Sequence, residues 1–190
     1  PKFDYSTTYE EMSLKELRET YGTADAINKE LDKGKKVKIS GTITRKNGTA
    51  SAYLQQVGIN EETGEMETYG VYLYGGYVEN QKLQVGYKVI ISGQIGYYSG
   101  SLQITDVTNS RIKVQSFGSV DGVQIEEVSD IQSYVANEMN VGNVLKIVTP
   151  LTITKYYDAS NEESNAITLY AKYYDASNRE QEVQIRIDNN

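Results

Sequence analysis

The feature that most constrains the fold of this chain is a phrase of ten residues that occurs twice. Residues 34–43 read GKKVKISGTI and residues 86–95 read GYKVIISGQI, so both follow the pattern G-x-K-V-x-I-S-G-x-I. Alternation of Val or Ile with polar residues is typical of a strand with one buried and one exposed face. The inner glycines, Gly41 and Gly93, indicate points where the strand coils sharply or another backbone comes close. Two such strands predict a small, strongly bent barrel.

The composition favours β-structure and excludes several kinds of chemistry. Of 190 residues, 17 are Tyr and 16 are Gly, and the chain has 2 Pro, no Cys and no His. Tyr, Val, Ile and Thr all suit half-exposed strands. Without Cys and His, the chain has no thiol catalysis, no disulfides, no thiolate or imidazole zinc site and no histidine acid–base chemistry. No apolar run approaches the ~20 residues that cross a bilayer, so no membrane-spanning segment is expected.

The net charge of −7 is unevenly distributed along the chain. Residues 1–35 carry six basic and eight acidic side chains, residues 36–115 carry eight and six, and residues 116–190 carry five and twelve. Because affinity for nucleic acid comes largely from neutralising phosphates, only the middle third is a candidate for binding it. The last third would repel a polyanion.

The order of local signals predicts a short helical segment followed by five strands. Ser13-Leu-Lys-Glu16 is a capping box, and Gly34 is placed to end the helix, which Gly22 interrupts. The turn dipeptides Asn47-Gly48 and Ser99-Gly100 separate predicted strands. The strands are expected at about 36–46, 50–57, 67–75, 87–98 and 101–115. Five strands with this spacing predict a Greek-key barrel.

Four segments carry a resemblance to a known fold family. They are V-x-I-S-G-x-I, Ala52-Tyr53-Leu54-Gln55, Leu83-x-x-Gly86-x-x-Val89 and Tyr97-x-x-Gly100-x-Leu102-x-Ile104. On these segments, residues 34–115 resemble an OB-fold domain of the anticodon-binding type, as found in secreted bacterial nuclease-associated and surface proteins. The chain departs from many such domains at Gln56, where they have an acidic residue. The resemblance implies an extracellular or cell-surface bacterial protein, with any catalysis elsewhere in a larger polypeptide.

The remainder of the chain repeats part of this plan. We expect residues 1–35 to form an N-terminal arm, loose over residues 1–12 where no periodicity is present, and a helix. Residues 36–115 are expected to form the OB-fold barrel, 116–124 a linker and 125–190 a second domain. A second capping box begins at Ser129, and Val148–Thr154 aligns with Lys38–Thr44. Strands are expected at about 144–154, 166–173 and 181–188, and two more would be needed to close a barrel. The second unit is therefore expected to be OB-like and either truncated or incomplete.

The best binding candidate is the exposed face of the second and third predicted strands. If Ala52, Leu54, Val71 and Leu73 point inward, alternation turns the intervening side chains outward. OB folds commonly bind ligands on this surface, between the loops after the first and fourth strands. Aromatic rings with nearby cations suit single-stranded nucleic acid. The predicted ligand-binding residues are Tyr53, Gln55, Tyr72, Tyr74, Arg45, Lys46, Lys38 and Tyr97.

Structural explanations account for the same residues. Tyrosine is a good strand former, and a surface tyrosine ladder can stabilise strand pairs without any ligand. Lys36 and Lys38, with Lys88 at the matching position of the second phrase, suit phosphate contacts, but such lysines also keep strand faces soluble and protect edges. Aromatic faces also bind glycans and protein segments. These alternatives remain open from the sequence.

No motif indicates catalysis, a metal or a cofactor. Asp158-x-Ser160-x-Glu162 has the oxygen spacing of a calcium loop but lacks its central glycine and distal acid. The chain has no carboxylate pair positioned for hydrolysis and no phosphate-cradling glycine motif. We therefore expect a mainly β, non-catalytic binding module: a five-stranded Greek-key OB-like barrel, preceded by a short helix and followed by an incomplete OB-like unit. The expected ligand is single-stranded nucleic acid; the alternative is a structural or a protein- or glycan-interaction domain.

Overall fold

A computed structural model describes residues 8–119, 123–158 and 166–187 of the chain. The chain divides into two compact units, which are described separately below. The first comprises Pro1–Gln124 with Glu138–Val144, and the second comprises Ile125–Asn137 with Leu145–Asn190. Of the helices within the described ranges, none is long and apolar enough to cross a bilayer.

The helical segment of the first unit begins as its capping box predicts, but it ends at Asn28 rather than at the predicted Gly34, and turns connect it to the first barrel strand. Helix α1 spans Leu14–Tyr21 and α2 spans Ala24–Asn28. The Ser13 hydroxyl accepts a hydrogen bond from the Glu16 amide, and the Glu16 carboxylate accepts one from the Ser13 amide at 2.7 Å. This reciprocal capping box satisfies two amides that a helix start leaves unpaired. The interruption at Gly22 is confirmed, and Thr23 caps the second helix.

The strands of the first unit close into a five-stranded barrel, as predicted. Around the barrel the order is β2-β3-β4-β6-β5, and β5 pairs back with β2. The β4–β6 pairing is parallel and the other barrel pairings are antiparallel. The strand β1 adds to β2 in parallel, and β7 adds to β5. The bounds are β1 Glu10–Glu11, β2 Lys36–Asn47, β3 Ser51–Ile59, β4 Met66–Leu73, β5 Lys88–Tyr98, β6 Ser101–Thr105 and β7 Ile112–Ser116.

The two copies of the repeated phrase are the strands that close the barrel. β2 pairs with β5 along Lys36–Thr42 and with β3 along Thr42–Asn47, so one strand serves two neighbours. At the changeover, a Cβ built on Gly41 would lie only 2.6 Å from the Gln55 carbonyl oxygen. A Cβ on Gly93 would collide with the Ile104 side chain. The predicted close approach at both glycines is confirmed.

The barrel encloses one apolar core to which α1 contributes. The inward prediction for Ala52, Leu54, Val71 and Leu73 is confirmed, because all of them are fully buried. From the helix, Leu14, Leu17 and Tyr21 pack into the same cluster. The remaining buried apolar residues of the cluster are Val37, Ile39, Ile43, Leu83, Val89, Ile91, Ile95, Tyr97, Leu102, Ile104, Val107 and Ile112.

Two segments of the first unit differ from their predicted structure. Residues 101–115, predicted as one strand, form β6 and β7 separated by Asp106 at φ +60° and a 3-10 turn at Asn109–Arg111. An ion pair between Arg111 and Asp106 holds this corner. The N-terminal arm, expected to be loose, contributes strand β1, whose Glu10 and Glu11 pair with Val37 and Lys38.

The second unit contains one helix and two small sheets within its described residues. Helix α3 spans Ile131–Ala136, and β8 (Glu126–Val128) pairs in parallel with β9 (Leu145–Ile147). The strands β10 (Thr152–Asp158), β11 (Ile167–Tyr174) and β12 (Glu180–Ile187) form an antiparallel sheet. The strand predicted at 144–154 is divided, and Pro150, which has no amide hydrogen to donate, lies in the break. The described strands of this unit do not close a barrel.

Candidate functional site

A row of paired side chains crosses four neighbouring strands on the outer surface of the barrel. Arg45 of β2 lies opposite Tyr53 of β3, Tyr53 lies opposite Tyr72 of β4, and Tyr72 lies opposite Gln103 of β6. The rings of Tyr53 and Tyr72 are 5.1 Å apart between centroids and tilted by 52°. Because the residues next to them in β3 and β4 point into the core, this row faces away from it.

Three more tyrosines extend this row toward the loops. Tyr77 is 97% exposed, Tyr98 is 74% exposed and Tyr74 is 37% exposed. The phenol of Tyr77, with burial and the phenols of Tyr72 and Tyr98, raises the pKa of Tyr74, so these rings are close neighbours. We call this surface the tyrosine face; it comprises Tyr53, Tyr72, Tyr74, Tyr77 and Tyr98.

Tight turns at its border position two of these rings. The Asn47 side-chain amide, at the β2–β3 turn, donates a hydrogen bond of 2.9 Å to the Tyr72 hydroxyl. At the β5–β6 turn, Ser99 and Gly100 take positive φ angles of 49° and 76°, which reverses the chain directly after Tyr98. Both turns were predicted from their dipeptides, and together they fix where the tyrosine face ends.

A segment from later in the chain covers the rest of this outer surface. Residues Glu138–Val144, here called the strap, belong to the first unit, although the sequence placed them in the second domain. The Asn143 amide donates to the Thr68 carbonyl at 2.9 Å. A Cβ on Gly142 would lie 3.0 Å from the Gly70 carbonyl, so two backbones are in contact there. The strap therefore covers the part of β4 around Gly70 and leaves the tyrosine-bearing part of the surface open.

A cavity of about 280 Å³ lies between the tyrosine face and the strap. Aromatic rings, hydroxyls and an amide make up most of its lining, and Arg18 of α1 is the one cation among the lining residues. The lining residues used below are Arg18, Tyr53, Tyr72, Tyr98, Gln103 and Gly142.

Gln55 was predicted to be open to ligand, and the structure corrects this. It lies on the outer surface in register with Gly70, but it is only 3% exposed because the strap covers it. Its side-chain oxygen accepts from the Val144 amide at 2.9 Å, and its nitrogen donates to the Gln124 carbonyl at 3.3 Å. Gln55 therefore anchors the later chain rather than facing solvent.

Tyr97 was predicted beside the tyrosine face, and it lies in the core instead. Alternation along β5 puts Ile91, Ile95 and Tyr97 on the buried side, so Tyr98 takes the exposed position. The Tyr97 hydroxyl donates to the Leu31 carbonyl at 3.0 Å, and burial raises the pKa of Tyr97 to about 12. The period of β5 itself was the signal that could have identified Tyr98.

The predicted cations are divided between two places. Arg45 is exposed at one end of the row, and Lys46 follows it on β2. Neither forms an ion pair with another described residue. Lys38 lies in the half of β2 that pairs with β5, and its ammonium is 3.4 Å from the Glu11 carboxylate. Lys46 pairs with Ala52, whose side chain faces the core, so alternation turns Lys46 to the other side of the sheet. Of the predicted cations, the structure therefore brings Arg45, but neither Lys46 nor Lys38, to the tyrosine face.

A larger cavity of about 830 Å³ lies elsewhere on the first unit. Hydroxyls and amides dominate its polar lining, with Lys88 as the one cation, and none of its lining residues is aromatic. It therefore lacks the stacking surfaces of the tyrosine face. Its polar lining residues are Ser40, Thr42, Thr44, Gln55, Gln56, Lys88, Gln115 and Gln124.

No cluster of three or more acidic side chains able to hold a metal ion occurs in the part of the chain that the structure describes. Of the calcium-like spacing Asp158-x-Ser160-x-Glu162, the positions Ser160 and Glu162 lie outside the described residues. The chemistry available at the tyrosine face is stacking, hydrogen bonding and cation pairing.

No profile of a known protein family matches the chain, and no curated protein matches its sequence. The function is therefore argued from the geometry of the tyrosine face.

Proposed function

We propose that the first unit is a non-catalytic OB-fold binding module that holds single-stranded nucleic acid on the tyrosine face. The observation that carries the proposal is the row formed by Arg45, Tyr53, Tyr72 and Gln103 across four strands. The resemblance of residues 34–115 to OB-fold domains of secreted bacterial proteins supports a location outside the cell or at its surface.

Each member of the row supplies one kind of contact that a single strand needs. Tyr53 and Tyr72 offer rings on which bases stack, at ~1–3 kcal/mol per base. Arg45, at the end of the row, is placed to neutralise a phosphate. The Gln103 amide, as both a donor and an acceptor, suits the edge of a base.

Charge limits the affinity that this arrangement gives. The chain is acidic overall, with a net charge of −7, so long-range attraction of a polyanion is absent. Binding then depends on stacking and on a few local phosphate contacts, and we expect affinity in the micromolar range. Each phosphate neutralised contributes a slope of about −0.7 to the dependence of log affinity on log salt.

A structural role for the tyrosines explains only part of the face. The Tyr53–Tyr72 pair and the hydrogen bond from Asn47 stabilise the pairing of strands with or without a ligand. Tyr77 and Tyr98, however, are 97% and 74% exposed, so they bury little area and contribute little to folding. Large exposed rings gathered beside a cavity are better explained by ligand contact.

The test is fluorescence anisotropy with a labelled mixed-sequence single-stranded DNA at ~50 mM salt, where phosphate contacts are least screened. We expect micromolar binding that weakens as salt is added. Tyr72→Ala should weaken it by about 5- to 150-fold, the range that corresponds to one lost stack. Tyr156→Ala, at an exposed tyrosine of the second unit, is the matched control and should bind as the wild type does.

Two results would contradict the proposal. If folded Tyr72→Ala binds as tightly as the wild type, the tyrosine face is not the site. If the wild-type chain does not bind at high micromolar concentration, nucleic acid is not the ligand, and titration with glycans and extended peptides tests the alternative of a glycan- or protein-binding module.

A further inference from the structure

The cavity beside the tyrosine face contains a buried positive charge. Arg18, on α1, is 1% exposed and lines the cavity together with Tyr53, Tyr72 and Tyr98. One guanidinium nitrogen, Nη2, donates to the Glu138 carbonyl at 2.7 Å. The Nε atom is buried and has no hydrogen-bond partner among the described residues.

No carboxylate neutralises this charge directly. Among the described residues, no acidic oxygen lies within 4.0 Å of an Arg18 nitrogen. The Glu138 carboxylate, whose charge acts on Arg18, accepts a hydrogen bond of 3.1 Å from the Ala24 amide. Burial lowers the pKa of Arg18, and the charge of Glu138 opposes this only in part. A buried charge is costly unless it is paired, so the site is unsatisfied without an anion.

We propose that this cavity binds the terminal nucleotide of a single strand, with its phosphate monoester at Arg18 and its base against the tyrosine rings. This inference rests on the proposed function, because the remainder of the strand would lie on the tyrosine face. The guanidinium fork matches the oxygens of a phosphate and can donate two parallel hydrogen bonds to it.

The walls of the cavity favour an end of the strand over its interior. Val141 and Gly142 of the strap line the cavity together with Arg18, and its volume of about 280 Å³ limits the length of strand that can enter it. A terminal monoester also carries more negative charge than an internal diester. Ser99, Ser101 and Gln103 add hydroxyl and amide groups that can bond the sugar and the base edge.

The first experiment compares two oligonucleotides of one sequence in the anisotropy assay. Both carry the fluorophore at the 3′ end, and the 5′ end bears either a phosphate or a hydroxyl; a second pair exchanges the ends. We expect the phosphate at one of the two ends to tighten binding by about tenfold or more, as hydrogen bonds to a charged group do. No variant is needed for this comparison.

The second experiment locates the effect at Arg18. In Arg18→Gln, the advantage of the phosphorylated oligonucleotide should disappear, while Arg18→Lys, which keeps the charge but not the fork, should retain part of it. Thermal unfolding checks that each variant is folded, because Arg18 is buried. As a small probe, dTMP should compete more strongly than thymidine or inorganic phosphate.

The outcomes separate this inference from the proposed function. Equal wild-type affinity for phosphorylated and hydroxyl ends, with both bound, overturns the terminal-nucleotide site and leaves the proposed function standing. A phosphate preference that persists in folded Arg18→Gln also overturns it. Binding of dTMP over thymidine without binding of any oligonucleotide supports the cavity and overturns the proposed function. Binding of none of these probes overturns both.

Discussion

Asp175 is the residue of the second unit whose carboxylate is most fully hydrogen-bonded. It begins the turn between β11 and β12, and its side chain is almost entirely buried. It accepts from the amides of Ser177 and Arg179, both at 2.9 Å, and from the Gln181 side chain at 3.0 Å. The backbone hydrogen bond from Arg179 is the largest of the effects that lower the pKa of Asp175.

This environment predicts an acid-sensitive turn. Because the folded-state pKa of Asp175 lies below its unfolded value, its stabilisation is present above the unfolded pKa of ~3.9 and is lost as pH falls through the folded pKa. We expect the protection factors of the β11 and β12 amides against hydrogen exchange to fall as the pH drops below ~4. Asp175→Asn should remove much of this dependence, and Glu182→Gln, at an exposed carboxylate of β12, should retain it. An unchanged profile in Asp175→Asn would contradict the assignment.

The residues of the candidate site were predictable where strand period decides orientation. Tyr53, Tyr72 and Tyr74 follow from the alternation of β3 and β4, and the structure gathers them with Arg45 on one side. Arg18 was not predictable as a site residue. Its position in the helical pattern marks it only as a charged residue of α1, and its burial results from contact with a segment more than a hundred residues away in the chain.

At the scale of elements, the barrel closes where β2 pairs with β5, and each of these strands contains a glycine at a point of close approach. Gly41 lies where β2 changes partners, with no room for a Cβ beside the Gln55 carbonyl. Gly58, in β3, has open space where a Cβ would be and no positive φ. Substituting alanine at each of these two glycines therefore separates the cost of steric crowding from the intrinsic preference of strands for alanine over glycine.

We expect Gly41→Ala to destabilise the first unit by about 1–3 kcal/mol, because the added methyl must displace backbone. Gly58→Ala should be neutral or stabilise by up to ~1 kcal/mol, since alanine loses less entropy on folding. Urea unfolding at equilibrium measures both values. Equal effects of the two substitutions would show that the changeover at Gly41 tolerates a side chain.

The five strands and the barrel were predictable because β2 to β5 alternate over their lengths and end in recognisable turns. The division of residues 101–115 was not, since Asp106 reaches φ +60° without a glycine to indicate a turn. Pro150, which has no amide hydrogen to donate, favours a break in the strand predicted at 144–154. The alignment of Val148–Thr154 with Lys38–Thr44 nevertheless led to the prediction of one continuous strand. In both cases a fold-level expectation extended a strand past the point where local geometry ends it.

At the scale of the whole molecule, the chain leaves the first unit after Gln124, returns for the strap and leaves again after Val144. Nothing in the local sequence of the strap indicates this return. Gly142 has φ +91° and rests on Gly70 of β4, a contact between distant parts of the chain that alternation and capping do not report. The prediction therefore assigned all of residues 125–190 to one second domain, whereas in the structure the strap within that range belongs to the first unit.

The strap predicts that a substitution late in the chain will act on the barrel. Gly142→Ala combines an unfavourable positive φ with a clash against Gly70, so exchange of the β3 and β4 amides should accelerate. Gly100→Ala, in the β5–β6 turn at φ +76° with open space around the added methyl, incurs the backbone cost alone and is the control. If the amides of β3 and β4 are equally protected from hydrogen exchange in the two variants, the strap does not stabilise the barrel.

The strap also has a consequence for the time at which the protein becomes complete during synthesis. The last strand of the barrel, β6, ends at Thr105, and the strap begins 33 residues later at Glu138, so the barrel strands leave the ribosome before the segment that covers them. At ~5–20 residues per second, the interval is about 2–7 seconds, long compared with the folding of many small domains. A nascent barrel therefore exists for a time with Gln55 and Gly70 uncovered, and the tyrosine face belongs at that stage to a wider open surface. The barrel before the strap is made and the barrel after it is covered therefore present different surfaces to solvent and to binding partners.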